Sequence, residues 1–347
     1  MQLRVITPRL PKELFMIIDV HTHIVPEHFP PRAGHAAGDN WPLMDHGRTR
    51  PDTADVMIGE RNFRTVDDQC WSAVRRIKDV ADQGIDQQVI SPMPRLLDYG
   101  VNAEDGRALA RYLNETIAEL VTGSPGKFYG LGSVPLQDVD MAVRELEGVK
   151  ALGLHGVEIT TNVNGVSPGD PRFLPFWREV ERLSMSVFVH GQGPTFAERL
   201  VGPAYLENAI GFPMENAFAA ASVVTGGVME ECPDLRVCFS HGGGPFTMVL
   251  PRIQHLWHNN ASLREAMKQE PITYARKMYY DDILFDNRTL AYLIDMVGID
   301  QVCIGSDYPF MSRPQLPEDE FAALALSDAD REAVGYRNAL RFLGVEA

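Results

Sequence analysis

The chain has 347 residues, 45% of them apolar, and a formal net charge of −15, with 32 Lys and Arg against 47 Asp and Glu. That balance disfavours nucleic-acid or anionic-membrane binding, for which a basic patch is needed, while a few local arginines can still hold an anionic substrate. Cys70, Cys232, Cys238 and Cys303 form no Cys-x-x-Cys pair and show no disulfide spacing; no stretch is long and apolar enough to span a bilayer, and residues 1–14 lack the apolar run of a signal peptide, so a cytoplasmic protein is expected.

The first element is a short strand, Ile17-Ile18-Asp19-Val20-His21-Thr22-His23. Alternation along a strand puts His21 and His23 on one face, with Asp19 behind them. Two neutral imidazoles so placed can grip one transition metal. His-x-His alone is weak, and two ordinary histidines explain it as well. Residues 24–69 follow, rich in Pro, Gly, Asp and Arg and without a sustained period. A segment this long without periodicity reads as a lid-like insertion over the end of the first strand.

Beyond it the pattern is regular. Helices are predicted over 72–83, 104–122, 139–152, 173–183, 215–231, 245–257, 290–297 and 328–342. Strands are predicted over 87–91, 128–134, 155–160, 186–190, 236–241, 278–283 and 301–307. With the first strand these make eight short apolar strands alternating with helices, the pattern of a (β/α)8 barrel forming a single domain over 1–347. An open doubly wound sheet is the alternative, but no Gly-x-Gly-x-x-Gly follows the first strand, which also weakens a dinucleotide reading.

In a barrel the C-terminal strand ends ring one opening. His21 and His23 end the first strand, His190 the fifth, His241 the sixth and Asp307 the eighth. Imidazoles and one carboxylate suit zinc or a similar divalent ion with a position left for water, and a spare histidine can act as acid or base. The other histidines do not end strands, although His28, His35 and His46 fall in the lid segment, within reach of substrate.

At this point the chain resembles the amidohydrolase superfamily and, more closely, its branch of 2-amino-3-carboxymuconate-6-semialdehyde decarboxylase-like enzymes. The segments that carry the resemblance are Asp19-Val20-His21-Thr22-His23-Ile24-Val25-Pro26, Gln69-Cys70-Trp71, Phe188-Val189-His190, Val237-Cys238-Phe239-Ser240-His241-Gly242-Gly243-Gly244 and Gly305-Ser306-Asp307-Tyr308-Pro309-Phe310. It implies one zinc per chain held by His21, His23, His190 and Asp307, water in the remaining position, and His241 as acid or base. It also implies Arg76 as a binder of a substrate carboxylate, with Arg75 the competing choice, and Arg252 as an arginine lent across a homodimer interface. The implied reaction is non-oxidative loss of CO₂ from a small conjugated or aromatic acid. Hydrolysis of a lactone, ester or amide, or hydration, is the alternative within the superfamily. Two departures stand out. The fourth strand has no metal-bridging lysine and carries Glu158, which can recruit a second metal or repel a substrate carboxylate. After His190 the chain reads Gly191-Gln192-Gly193-Pro194, which points to a different pocket shape.

Overall fold

The structure is a computed structural model that describes residues 16–31, 41–203, 205–311 and 313–346. The residues before 16 and His35 lie outside the described residues. The expected eight strands are present: β1 (Ile18–Ile24), then, after three strands of the inserted segment, β5 (Gln87–Pro92), β6 (Phe128–Gly132), β7 (Gly156–Thr160), β8 (Ser186–His190), β9 (Arg236–Phe239), β10 (Tyr279–Asp281) and β11 (Val302–Cys303). They pair in parallel in this order. The ring closes where β1 meets the segment after β11: Val20 N donates to Ile304 O at 2.8 Å and His23 N to Tyr308 O at 2.8 Å. This is a (β/α)8 barrel.

The two faces of each strand build two cores, as the period-2 rule requires. Val20, Val89, Leu131, Phe188, Cys238 and Cys303 belong to an inner cluster that residues of the last helix, such as Phe342, join. The alternate residues Val157, Ile159, Val187, Val189, Val237 and Phe239 pack outward with Phe176, Trp177 and Val223 of the surrounding helices. All four cysteines are free and buried.

Helices α1 (Ala73–Ala81), α2 (Ala103–Gly123), α3 (Val139–Ala151) and α4 (Leu174–Arg182) match the predicted spans to within a residue or two, and three of them start at a side-chain cap from Ser72, Asn102 or Asp138. The helix predicted over 215–231 is two helices, α5 (Phe212–Thr225) and α6 (Val228–Glu231), because Gly227 turns left-handed at φ +79°. α7 (Phe246–Asn259) follows the glycine run, where a Cβ on Gly244 would stand 1.8 Å from Pro213 O. No helix of the described residues is long and apolar enough to cross a membrane.

The inserted segment differs from expectation. Its described part is a three-stranded antiparallel sheet of β2 (Pro42–His46), β3 (Ala54–Ile58) and β4 (Arg61–Val66). Charged residues interrupt the alternation of β2 and β4, which hid them as strands. Ala54, Val56 and Val66 bury against Val25, Met93 and Leu109, so this sheet has its own apolar anchor on the barrel.

Candidate metal centre and its cavity

β1 does not run straight. Its register on β5 shifts between Asp19 and Thr22, a bulge of the kind that re-aims side chains. Asp19 accepts from His21 N and from the Ser306 hydroxyl. His21, within this shift, and His23, past it, both meet His190 from β8. The three ring centroids lie 4.8 to 5.0 Å apart.

Each imidazole has its outer nitrogen tied to an oxygen. His21 Nδ1 lies 2.6 Å from Asp281 Oδ2, His23 Nδ1 3.2 Å from Pro92 O, and His190 Nδ1 2.8 Å from Gly191 O. These acceptors assign the proton to Nδ1 and leave each Nε2 with a bare lone pair. His190 Nε2 is buried with no hydrogen-bond partner. His21 Nε2 and His23 Nε2 face each other at 3.1 Å, where two lone pairs repel unless a cation lies between them. Asp307 Oδ1 completes the group, 3.1 Å from His23 Nε2 and 3.5 Å from His21 Nε2. Neutral imidazoles plus a carboxylate are the donors that zinc or manganese takes, so these residues fit a divalent ion.

The local charges agree. Burial alone pushes His21 down, but the Asp281 hydrogen bond and the Asp307 charge raise it to about 9. The same anionic surroundings that favour a proton there favour a cation. Burial pushes Asp307 up, and the His23 hydrogen bond with the neighbouring imidazoles outweighs it, holding the carboxyl well below its usual range.

His241 is the fifth member. It lies past β9 in a tight turn at φ +54°, not at the end of a strand as predicted. Its Nδ1 is 3.2 Å from both Ser240 Oγ and Asn216 Nδ2, and burial lowers its pKa. One donor atom from each of His21, His190, His241 and Asp307 lies within 4.8 Å of the others. Proximity alone therefore does not rank His241 against His23. Access does: His241 and Asp307 line the large cavity over the site, whereas His23 is fully enclosed.

That cavity has a volume of about 1200 Å³. Its polar wall includes Arg50 and Arg64 of the inserted sheet segment, and its apolar wall includes Phe212, Met248 and Phe310. The Arg64 guanidinium sits 4.4 Å from the Phe310 ring centre, and Phe310 stacks on His23 at 5.8 Å.

Arg76 is a correction. It does not line the cavity. α1 lies outside the strands, so its inner face reaches their edges and not the barrel mouth. The buried guanidinium donates to His23 O at 2.7 Å, Gln69 O at 3.1 Å, Thr22 Oγ1 at 3.1 Å and Gln88 Oε1 at 3.2 Å. Its donors are committed to the fold. Arg75 is no substitute, being exposed and paired with Asp79 at 2.9 Å. Arg252 is exposed on α7 and outside this chain's own cavity wall. Glu158 is fully buried 3.7 Å from His23 Nδ1, and burial raises it to about 8, with the nearby Ser91 hydroxyl opposing this only in part. It is not part of the cavity wall, so it makes no direct contact with a molecule held there. His28 and His46 lie with ring centres 5.0 Å apart and tilted planes, also off the wall.

Sequence reasoning missed Arg50, Arg64, Asn216 and Asp281. The two arginines fall in an aperiodic segment. Asp281 ends a strand of three residues, and its neighbour Asp282 gives the same local signal.

A mixed His/Asp centre at the C-terminal mouth of a (β/α)8 barrel defines a metal-centre class of amidohydrolase type, and the amidohydrolase family pattern matches residues 18–345. The chain belongs to the amidohydrolase family, in its branch of 2-amino-3-carboxymuconate-6-semialdehyde decarboxylase-like proteins. It is 34% identical over 333 residues to the 2-amino-3-carboxymuconate-6-semialdehyde decarboxylase of Dictyostelium discoideum, covering 95% of this chain and 92% of that one. In fold it is similar to Metarhizium anisopliae IDCase in apo form, with a TM-score of 0.80 and 21% identity over 97% of this chain and 99% of that one. It is also similar to a Polaromonas dihydroxybenzoic acid decarboxylase solved with manganese and 2-nitroresorcinol, with a TM-score of 0.71 and 22% identity over 95% of this chain and 97% of that one.

Proposed function

We propose that the chain is a metal-dependent, non-oxidative decarboxylase of a small conjugated or aromatic acid of the carboxymuconate semialdehyde or hydroxybenzoate kind. The observation that carries this reading is one large cavity whose wall holds His241 and Asp307 of the His/Asp centre together with Arg50 and Arg64. The naming of its relatives as decarboxylases supports it. His21, His23, His190 and Asp307 hold one divalent ion, for which we propose zinc. When bound, the ion supplies Lewis acidity that polarises a substrate or water oxygen.

The protein's own groups do the rest. Arg50 and Arg64 take the anchoring role expected of Arg76, gripping the substrate carboxylate by charge-assisted hydrogen bonds. His241, whose pKa burial lowers, takes up a proton from solvent water through the cavity and delivers it to the carbon that bears the carboxylate. The C–CO₂⁻ bond then breaks, its electron pair returns to the conjugated system, and CO₂ leaves with the proton in its place. No oxidant enters this balance. The inserted sheet acts as the lid that shields these steps from water.

Arg64→Ala is expected to raise KM by roughly tenfold to a hundredfold, the loss of one charge-assisted contact. Steady-state kinetics on the metal-loaded variant check this; an unchanged KM would remove Arg64 from substrate binding.

The reading is tested by incubating the metal-loaded protein with carboxymuconate semialdehydes and dihydroxybenzoates, following ultraviolet absorbance and CO₂ release. Stoichiometric CO₂ supports it. Turnover of lactones, esters or amides without CO₂ would move the chain to the hydrolase alternative.

We also propose that the protein is a cytoplasmic homodimer in which Arg252 serves the partner's site. Its helix exposes Met248, Val249 and Leu256 beside Arg252, and α5 exposes Met214 and Phe218. A symmetric interface uses such a patch twice. Inactive His241→Ala and Arg252→Ala chains, mixed and allowed to exchange, then form hybrids with one site free of both defects. About half the dimers are hybrid, so activity is expected to return to roughly a quarter of wild type. Demonstrated hybrids that stay inactive would place Arg252 in its own chain's site or in neither.

A further inference from the structure

Asp281 is buried at the end of β10 and is not part of the cavity wall. Its two oxygens divide their work. Oδ2 accepts from His21 Nδ1 at 2.6 Å. Oδ1 accepts from Gly242 N at 2.9 Å and Ile283 N at 3.2 Å. Gly242 follows His241, and the two sit at φ +61° and +54°. Glycine adopts this conformation freely, but at His241 it is unfavourable unless fixed by the surroundings. One carboxylate therefore joins a proposed metal ligand on β1 to the turn that carries the proposed acid–base histidine.

We propose that Asp281 is a positioning residue: anchored by the Gly242 and Ile283 amides, it fixes the proton of His21 on Nδ1 and so keeps Nε2 bare for the metal. The inference rests on the metal centre assigned above. A carboxylate is required because all three groups it meets are donors. An amide has one acceptor oxygen. In Asp281→Asn that oxygen satisfies the two backbone N–H groups, and the NH₂ then faces His21 Nδ1. The only neutral imidazole compatible with that contact carries its proton on Nε2, where it blocks the metal. Partners of this kind behind a metal-bound histidine affect affinity by about 10- to 100-fold.

The test is zinc affinity, measured by chelator competition on wild type, Asp281→Asn, His21→Ala and the double variant. Asp281→Asn is expected to weaken zinc by about 10- to 100-fold. If it acts through His21, adding it to His21→Ala changes affinity little further. Wild-type affinity in Asp281→Asn, or an equal loss in the His21→Ala background, would overturn the proposal. Nitrogen-15 spectra of histidine-labelled, zinc-loaded wild type provide a readout that needs no variant to fold. His21 is expected to carry its proton on Nδ1; a proton elsewhere, or metal on Nδ1, would overturn it. A wild-type chain that binds no zinc would remove the metal centre, and this inference with it. Zinc binding that is indifferent to Asp281 would remove only the inference.

Discussion

His241→Ala is expected to lower kcat by about 10²- to 10⁴-fold, the range for a lost acid–base group, while keeping its metal. The separation of these two effects is the informative part. His241 stands close enough to His21, His190 and Asp307 to be a ligand, but it alone among the four histidines of the centre lines the cavity. Its Nδ1 faces Ser240 and Asn216 and no carboxylate, and burial lowers its pKa although the Asp281 and Asp307 charges push the other way. The measurement is metal content after dialysis beside single-turnover rate. A variant that loses rate and metal together would make His241 a ligand and return His23 to the role of an enclosed supporting residue.

The largest effect is expected from Asp307→Ala: loss of the metal, and with it all measurable turnover. Asp307 supplies the only carboxylate oxygen within 3.5 Å of His21 Nε2 and His23 Nε2 among the described residues. Its removal leaves a cluster of imidazoles without the anion that offsets the ion's charge. The backbone at φ +60°, held by Asp307 N donating to His21 O at 2.8 Å, keeps the segment in place without the side chain. The variant should therefore fold. Circular dichroism beside metal analysis checks this; a folded Asp307→Ala that keeps a full complement of metal would exclude Asp307 from the coordination sphere. Asp307→Asn retains one neutral oxygen donor and should recover part of the affinity.

The barrel was legible because its strands are buried on both faces and read as short apolar runs between helices. That His21, His23, His190 and Asp307 come together was legible because barrel topology brings strand ends to one mouth, although Asp307 lies past β11 and not at its end as predicted. What stayed hidden depended on contacts that no period records. β2 and β4 carry charge on the exposed face of a small sheet, so they read as loop, and the arginines of that segment were overlooked. Arg76 sits one residue from the exposed Arg75, so the sequence left open which of them turns inward, and it does not show that Arg76 ends on two carbonyls and the side chains of Thr22 and Gln88. His241 was placed on a strand; the three glycines after it already signalled a left-handed turn. Asp281 became recognisable only once His21 was 2.6 Å away.

The central claim is a single-metal centre held by three histidines and one aspartate, and the most direct measurement is the metal content of protein purified without added metal. About one divalent ion per chain is expected, falling sharply in His190→Ala, whose bare, buried Nε2 is the clearest vacant donor in the barrel. Two tightly held ions per chain, with Glu158→Gln losing one of them, would contradict the single-metal centre and bring Glu158 into the coordination sphere.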